Sequence, residues 1–211
     1  MRAVVSLTQE TFVTKSNSEF NSSDYVVDLV WRATLSAKTT AKTTAQFIDY
    51  NQDQQQQPNS MYYDPFGQNT ANNGFATSSN QHTTIGLGQF DLNHNSTKVS
   101  WDFGAKATQV DTKTNWSLTP ESNTALGPVE RFDYKEQVIA GYARMERSWG
   151  QWSLASGLRY ENTQIERFST QEALEDLRYE NWFPEVTIAQ ELPNEQSWGV
   201  GYLKKIQRPR Y

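Results

Sequence analysis

The chain of 211 residues contains no cysteine, which removes disulfide frameworks and thiolate metal sites from consideration. It has only two histidines. His82 stands at the edge of a polar stretch and His94 in Asn93-His94-Asn95, where turn chemistry accounts for it. Neither has the Asp-x-His or His-rich spacing of a catalytic or metal site. An excess of basic residues is also lacking, with 19 Lys and Arg against 24 Asp and Glu, so there is no basic face for nucleic acid. No run approaches the roughly 20 apolar residues of a membrane-crossing helix. Met1 to Phe12 lacks the basic start and apolar stretch of a signal peptide, so for an exported protein the export signal is expected upstream.

Hydrophobic residues are scarce too, at 36%, yet 13% of the chain is aromatic, including 7 Trp and 10 Tyr. That is too aromatic for a disordered polar chain. Polar and aromatic together point to β-structure, and a membrane barrel has this signature because its strands alternate lipid-facing apolar residues with lumen-facing polar ones.

Period-2 patterning supports this reading. In Gln151 to Glu161 one face carries Trp152, Leu154, Leu158 and Tyr160, interrupted by Ser156. The other carries Gln151, Ser153, Ala155, Gly157, Arg159 and Glu161. Lys98 to Thr108 repeats the pattern with Val99, Trp101, Phe103, Ala105 and Ala107 on one face. Tyr25, Val27, Leu29, Trp31, Ala33 and Leu35 form a third. Thr83 to Leu92 and Lys135 to Arg147 alternate poorly, and their assignment rests on position between better strands.

The connections alternate in length, as those of outer-membrane barrels do. Short breaks are expected near Ala37 to Ala41, Asn93 to Thr97, Ser148 to Gln151 and Leu192 to Gln196. Longer polar ones are expected near Lys15 to Ser23, Asn51 to Gln81, Asn115 to Arg131 and Ser169 to Glu180. About nine long strands lie between them. Asn51 to Gln81, with its run Gln54 to Gln57 and the island Met61, Tyr62, Tyr63, Pro65 and Phe66, reads as a mobile external loop. A short helix is expected over Thr170 to Leu177, which begins with good helix formers. The expected fold is thus an all-β, antiparallel up-and-down transmembrane barrel, present in part.

Arg159, Glu161 and Glu185 are expected to be lumen-facing polar residues rather than an acid/base pair, because charge toward lipid is costly. The tryptophans divide between a carbohydrate-stacking platform and a membrane girdle, and strand-end positions favour the girdle. Trp149, Trp152 and Trp198 lie beside short turns, Trp116 and Trp182 near longer connections. Trp31 and Trp101 are expected nearer mid-strand. No catalytic residue, metal or cofactor is expected, and the chain does not read as an enzyme.

From Phe132 onward the run Phe132-Asp133-Tyr134-Lys135-Glu136-Gln137-Val138-Ile139-Ala140-Gly141-Tyr142-Ala143 leads into Trp149-Gly150-Gln151-Trp152-Ser153-Leu154. Gly157-Leu158-Arg159-Tyr160-Glu161-Asn162-Thr163, then Trp182-Phe183-Pro184, then Tyr202-Leu203-Lys204-Lys205-Ile206-Gln207-Arg208-Pro209 follow. In order and spacing these motifs resemble the barrel of the TonB-dependent receptors common in Bacteroidetes. The resemblance implies a barrel of about 22 strands around an N-terminal plug, in the bacterial outer membrane. Such a receptor imports a scarce small-molecule or glycan ligand (siderophore, vitamin or glycan class) on energy passed from the TonB complex.

Residues 1 to 211 show neither a plug domain nor a TonB-box segment, so they read as one barrel segment of a larger parent. Nine strands also fail the even count of a bacterial barrel. Tyr211 ends the chain on an aromatic, but Lys205, Gln207 and Pro209 share its face, unlike an apolar closing strand. The rival reading is a soluble all-β carbohydrate-binding or adhesin-like module, whose sandwich strands average about 5 to 6 residues.

Overall fold

The computed structural model describes residues 11–120, 129–170 and 174–206. Within them the chain folds as eight strands: β1 (Thr11–Ser36), β2 (Thr39–Tyr63), β3 (Asn69–Asn95), β4 (Val99–Pro120), β5 (Val129–Trp149), β6 (Trp152–Ser169), β7 (Leu177–Leu192) and β8 (Gln196–Leu203). They make one sheet in chain order, every neighbour antiparallel. No second sheet packs on it among the described residues, so it is not a sandwich. The two edges are β1 and β8.

All four short breaks are tight turns at one end of the sheet. Two of them span two residues, Ala37-Lys38 between the paired Ser36 and Thr39 and Gly150-Gln151 between the paired Trp149 and Trp152; in the second, Gly150 supplies a left-handed backbone at φ 55°, as favoured hairpin turns do. The β7–β8 turn holds Asn194 and Glu195 at φ 62° and 58°.

Strict pairing gives each residue a fixed face. One cross-sheet row of partners runs Thr43, Phe90, Ala105, Gly141, Tyr160, Trp182. The next, on the opposite face, runs Lys42, Asp91, Gly104, Tyr142, Arg159, Phe183. The face bearing Arg159 is the concave one. Glu161, Thr163 and Ile165 are buried there, and a cavity of about 520 Å³ is lined jointly by Gln89, Lys106, Tyr142, Arg159 and Glu185, from five successive strands.

Three sequence expectations change. Lys15 to Ser23 is the middle of β1, not a loop, and pairs without interruption with Asn59 to Asn51; this removes one break, and eight strands replace about nine. Asn51 to Gln81 is no mobile loop. β2 runs through to Tyr63 and β3 starts at Asn69, closed by a turn in which the Asp64 carboxylate accepts from the Phe66 and Gln68 amides at 2.9 and 2.8 Å. The short helix over Thr170 to Leu177 is not formed in its described part: Leu174 to Asp176 have no regular structure and Leu177 opens β7, while Gln171 to Ala173 lie outside the described residues. The Gln207-Arg208-Pro209 motif and Tyr211 also lie outside them.

Candidate functional site

On the convex face the strands carry an apolar band. Its lower border is the row Trp149, Trp152, Gln190, Trp198 beside the tight turns. Trp152 and Trp198 meet edge to face at 5.6 Å, and the Trp198 indole donates to Gln190 at 3.0 Å. Its upper border is the row of Tyr160 and Trp182, whose rings lie 4.8 Å apart. Between them stand Leu154, Leu158, Ile188, Val200 and Phe103.

Trp152 and Tyr160 are eight residues apart on β6, about 27 Å along the strand, or about 21 Å along a membrane normal at a strand tilt of about 40°. That compares with the roughly 25 Å apolar band of an outer-membrane barrel. Above it the convex face turns polar on β6 with Asn162, Gln164 and Glu166 and on β4 with Gln109, Asp111 and Lys113, while on β1 and β5 it stays apolar through Leu29, Val27, Tyr25 and Ile139.

Behind the band, the concave face is charged. Arg159 binds Glu161 at 2.7 Å and lies 5.7 Å over the Tyr142 ring. The Tyr142 hydroxyl donates to Asp91 two strands away. Arg144 binds Glu146 at 2.6 Å and Glu185 at 3.1 Å. Two glycines make room for this cluster: Tyr142 lies directly over Gly104, and Glu185 over Gly157. The three polar residues singled out from the sequence thus share one face, opposite Trp152 and Tyr160. Their partners Tyr142, Asp91 and Arg144 were not legible beforehand, because pairing across strands brings residues such as Asp91 and Tyr142 together from 51 positions apart.

Trp149, Trp152, Trp182 and Trp198 all lie on the convex face at the band's borders. Trp31 shares the upper border row through Thr43, and Trp101, though the third residue of β4, stacks on Phe103 at 5.7 Å in the row of Met145 and Ser156, midway between the borders of the band. Trp116 is corrected. It pairs with Ser79 and Glu130, well beyond the band and on the concave face, and is no part of a girdle. His94 belongs to β3 instead of the turn and contacts the Thr39 hydroxyl at 2.9 Å. His82 contacts Asp49 at 2.9 Å. Among the described residues no group of three or more His, Asp or Glu could hold a metal ion.

Beyond the band the first six strands continue. From Thr43 to Tyr63 β2 extends a further 20 residues, roughly 65 Å along the strand, paired with β1 and β3.

A family model described as "Outer membrane protein beta-barrel family" matches residues 8–211. Among solved structures the chain is similar to the copper transporter OprC, with a TM-score of 0.52 and 10% identity over 87% of this chain and 36% of that one. It is also similar to the ferric citrate transporter FecA in its unliganded form (TM-score 0.43, 12% identity, 74% of this chain and 26% of that one). The ferric preacinetobactin receptor BauA of Acinetobacter baumannii is a third (TM-score 0.43, 10% identity, 78% and 30%). The chain therefore spans about a quarter to a third of the length of these structures, and at such identities the likeness is one of fold. No curated protein matches it.

Proposed function

Since this chain belongs to the outer membrane protein beta-barrel family, a family of the bacterial outer membrane, we propose that it is a length of wall in a TonB-dependent receptor that imports a scarce ligand. The observation that carries this reading is the pairing of faces: an apolar band about one membrane thick, bordered by Trp152–Trp198 and Tyr160–Trp182, lies back to back with the cluster of Arg159, Glu161, Arg144 and Glu185. Lipid supplies no partner for a charge, so the convex side faces acyl chains and the charged side an enclosed lumen.

Lipid supplies no partner for free backbone groups either, so the outward edges of β1 and β8 are to be closed by further strands of the same protein. The short-turn end is periplasmic and the long hairpins external. A plug domain would then sit against Arg159, Glu161 and Glu185, and the TonB complex would act through it. The ligand class, whether siderophore, vitamin or glycan, is the finer part of this proposal.

The test is made on the full-length protein in its own cells. It should fractionate with the outer membrane, migrate as a heat-modifiable band on electrophoresis, and support ligand accumulation that collapses when the proton gradient is dissipated. Accumulation indifferent to the gradient would end the receptor reading. A monomeric, heat-modifiable species formed by residues 1–211 alone would show a complete small barrel instead of a piece of wall.

A further inference from the structure

The concave face changes character along the strands. Within the band and one row above it, this face carries Lys42, Asp91, Lys106, Arg144, Arg159 and Glu161. Beyond it, Asp28 and Asp24 on β1 are the last concave charges of β1 to β4. The successive concave rows there begin Ser22, Gln52, Gln81, Thr114; then Phe20, Gln54, Ser79, Trp116; then Ser18, Gln56, Thr77, Leu118. From these rows to the tip of the hairpin no concave position of β1 to β4 is Asp, Glu, Lys or Arg. The convex positions over the same stretch carry Lys15, Glu19, Asp53 and Lys113, and the ion pairs Arg131–Asp133 and Lys135–Glu166 lie on that side, while the concave Glu130 of β5, cross-strand partner of Trp116, bounds the neutral surface.

We propose that this neutral concave surface captures a neutral oligosaccharide. The proposal deepens the receptor reading above, on which it rests, by naming the ligand class.

Three observations support it. Water alone does not demand a charge-free wall, since every other solvated face of this chain carries charge. The polar groups present are carboxamides and hydroxyls, Gln52, Gln54, Gln56 and Gln81 foremost. These donate and accept at once, as sugar hydroxyls do, whereas a carboxylate only accepts and an ammonium only donates. Aromatic rings stand among them, with Phe20 58% and Phe75 44% exposed; their negative faces suit the slightly positive C–H faces of a pyranose. Phe20 and Trp116 occupy one row three strand spacings apart, about 14 Å, a span that suits a chain of rings. An anionic iron chelate would want cations here, and these rows offer none.

The test is calorimetric titration of the full-length protein in detergent with maltohexaose, cellohexaose, xylohexaose and mannohexaose, with oligogalacturonate and ferric citrate as charged comparators. At least one neutral hexaose should bind, with affinity unchanged between about 50 mM and about 500 mM NaCl because no charge pair is screened. Trp116→Ala and Phe20→Ala should each weaken it by about tenfold or more, the loss typical of a truncated aromatic anchor. Gln54→Glu, which keeps the size and adds a charge, should weaken it too, and Lys113→Ala on the convex face should leave it unchanged. Heat-modifiable migration of each variant checks folding. The proposal is overturned if none of the four hexaoses binds, if a charged comparator binds in preference, or if the Ala and Glu variants bind as the parent does. A folded barrel that imports a charged ligand removes the oligosaccharide and leaves the receptor reading. Hexaose binding without gradient-dependent uptake removes the receptor reading and leaves the surface.

Discussion

Glu185 occupies the space that a side chain on Gly157 would need. The two are cross-strand partners, and a Cβ on Gly157 would meet the Glu185 Oε1 at 2.6 Å and its Cγ at 2.9 Å. The same Oε1 is 3.1 Å from the Arg144 Nε. A glycine weakens a strand interior, so its presence here follows from the carboxylate lying flat over it.

Gly157→Ala should therefore lower the unfolding free energy of the full-length barrel by about 1 to 3 kcal/mol, the cost of overpacking. The Arg144–Glu185 pair is half-exposed and contributes little by itself. Adding Glu185→Ala to Gly157→Ala should thus recover most of the loss, a non-additivity that urea titration of the four species of a double-mutant cycle measures. Simple additivity would show that the two side chains do not compete for space.

Leu158 stands mid-band on the convex face, between Leu154 and Tyr160. Leu158→Arg should cost about 2 to 4 kcal/mol in folding into lipid vesicles, whereas Asn162→Arg, beyond the upper border row, should cost about 0 to 1. Equal costs would place the membrane elsewhere on the sheet.

Trp152 and Trp198 meet edge to face from β6 and β8. Replacing each by Ala, alone and together, should return a coupling of about 0.5 to 1.5 kcal/mol, the worth of an aromatic pair beyond its buried area. A coupling near zero would mean that the rings anchor independently.

Glu195 holds a left-handed backbone at φ 58°, a conformation costing a residue with Cβ about 1 to 2 kcal/mol. Glu195→Gly should raise the urea midpoint by the equivalent of up to about 1 kcal/mol, since glycine adds entropy to the unfolded chain while relieving the strain. A lowered midpoint would show that the Glu195 side chain supports the turn.

The faces of β1, β4 and β6 were legible because their apolar residues fall on one parity through the band. β3 and β5 were harder for a physical reason. Leu87 and Val138 point to the concave side, one row from Ile48, Ile85, Val110 and Ile165, whose row is apolar except for Glu136 on β5, and these inward apolar residues break the alternation. The long hairpins read as loops in the sequence because Asn, Gln and Ser disfavour strands; a continuous ladder of backbone pairs from Thr11–Tyr63 to Ser23–Asn51 overrides that preference. The place of Trp116 is hidden for the same reason, since its row is defined only by the continuation of β4 to Pro120. The charged cluster was visible as parity on β6 alone, and its partners on β3 and β5 needed the register.

The β2–β3 hairpin is held mainly by main-chain pairs between Gln52 to Tyr63 and Asn69 to Gln81, which are indifferent to side-chain identity. Substitution among Asn, Gln, Ser and Thr at the convex positions of this arm therefore costs little, and that side of its sequence is free to drift. Its length is not. Deleting one residue from β2 would carry every residue beyond the cut to the opposite side, moving Asp53-type charge inward and Gln54-type amides outward, whereas deleting two restores the parity. Length variants of this arm among descendants of the gene should accordingly differ by even numbers of residues on each strand.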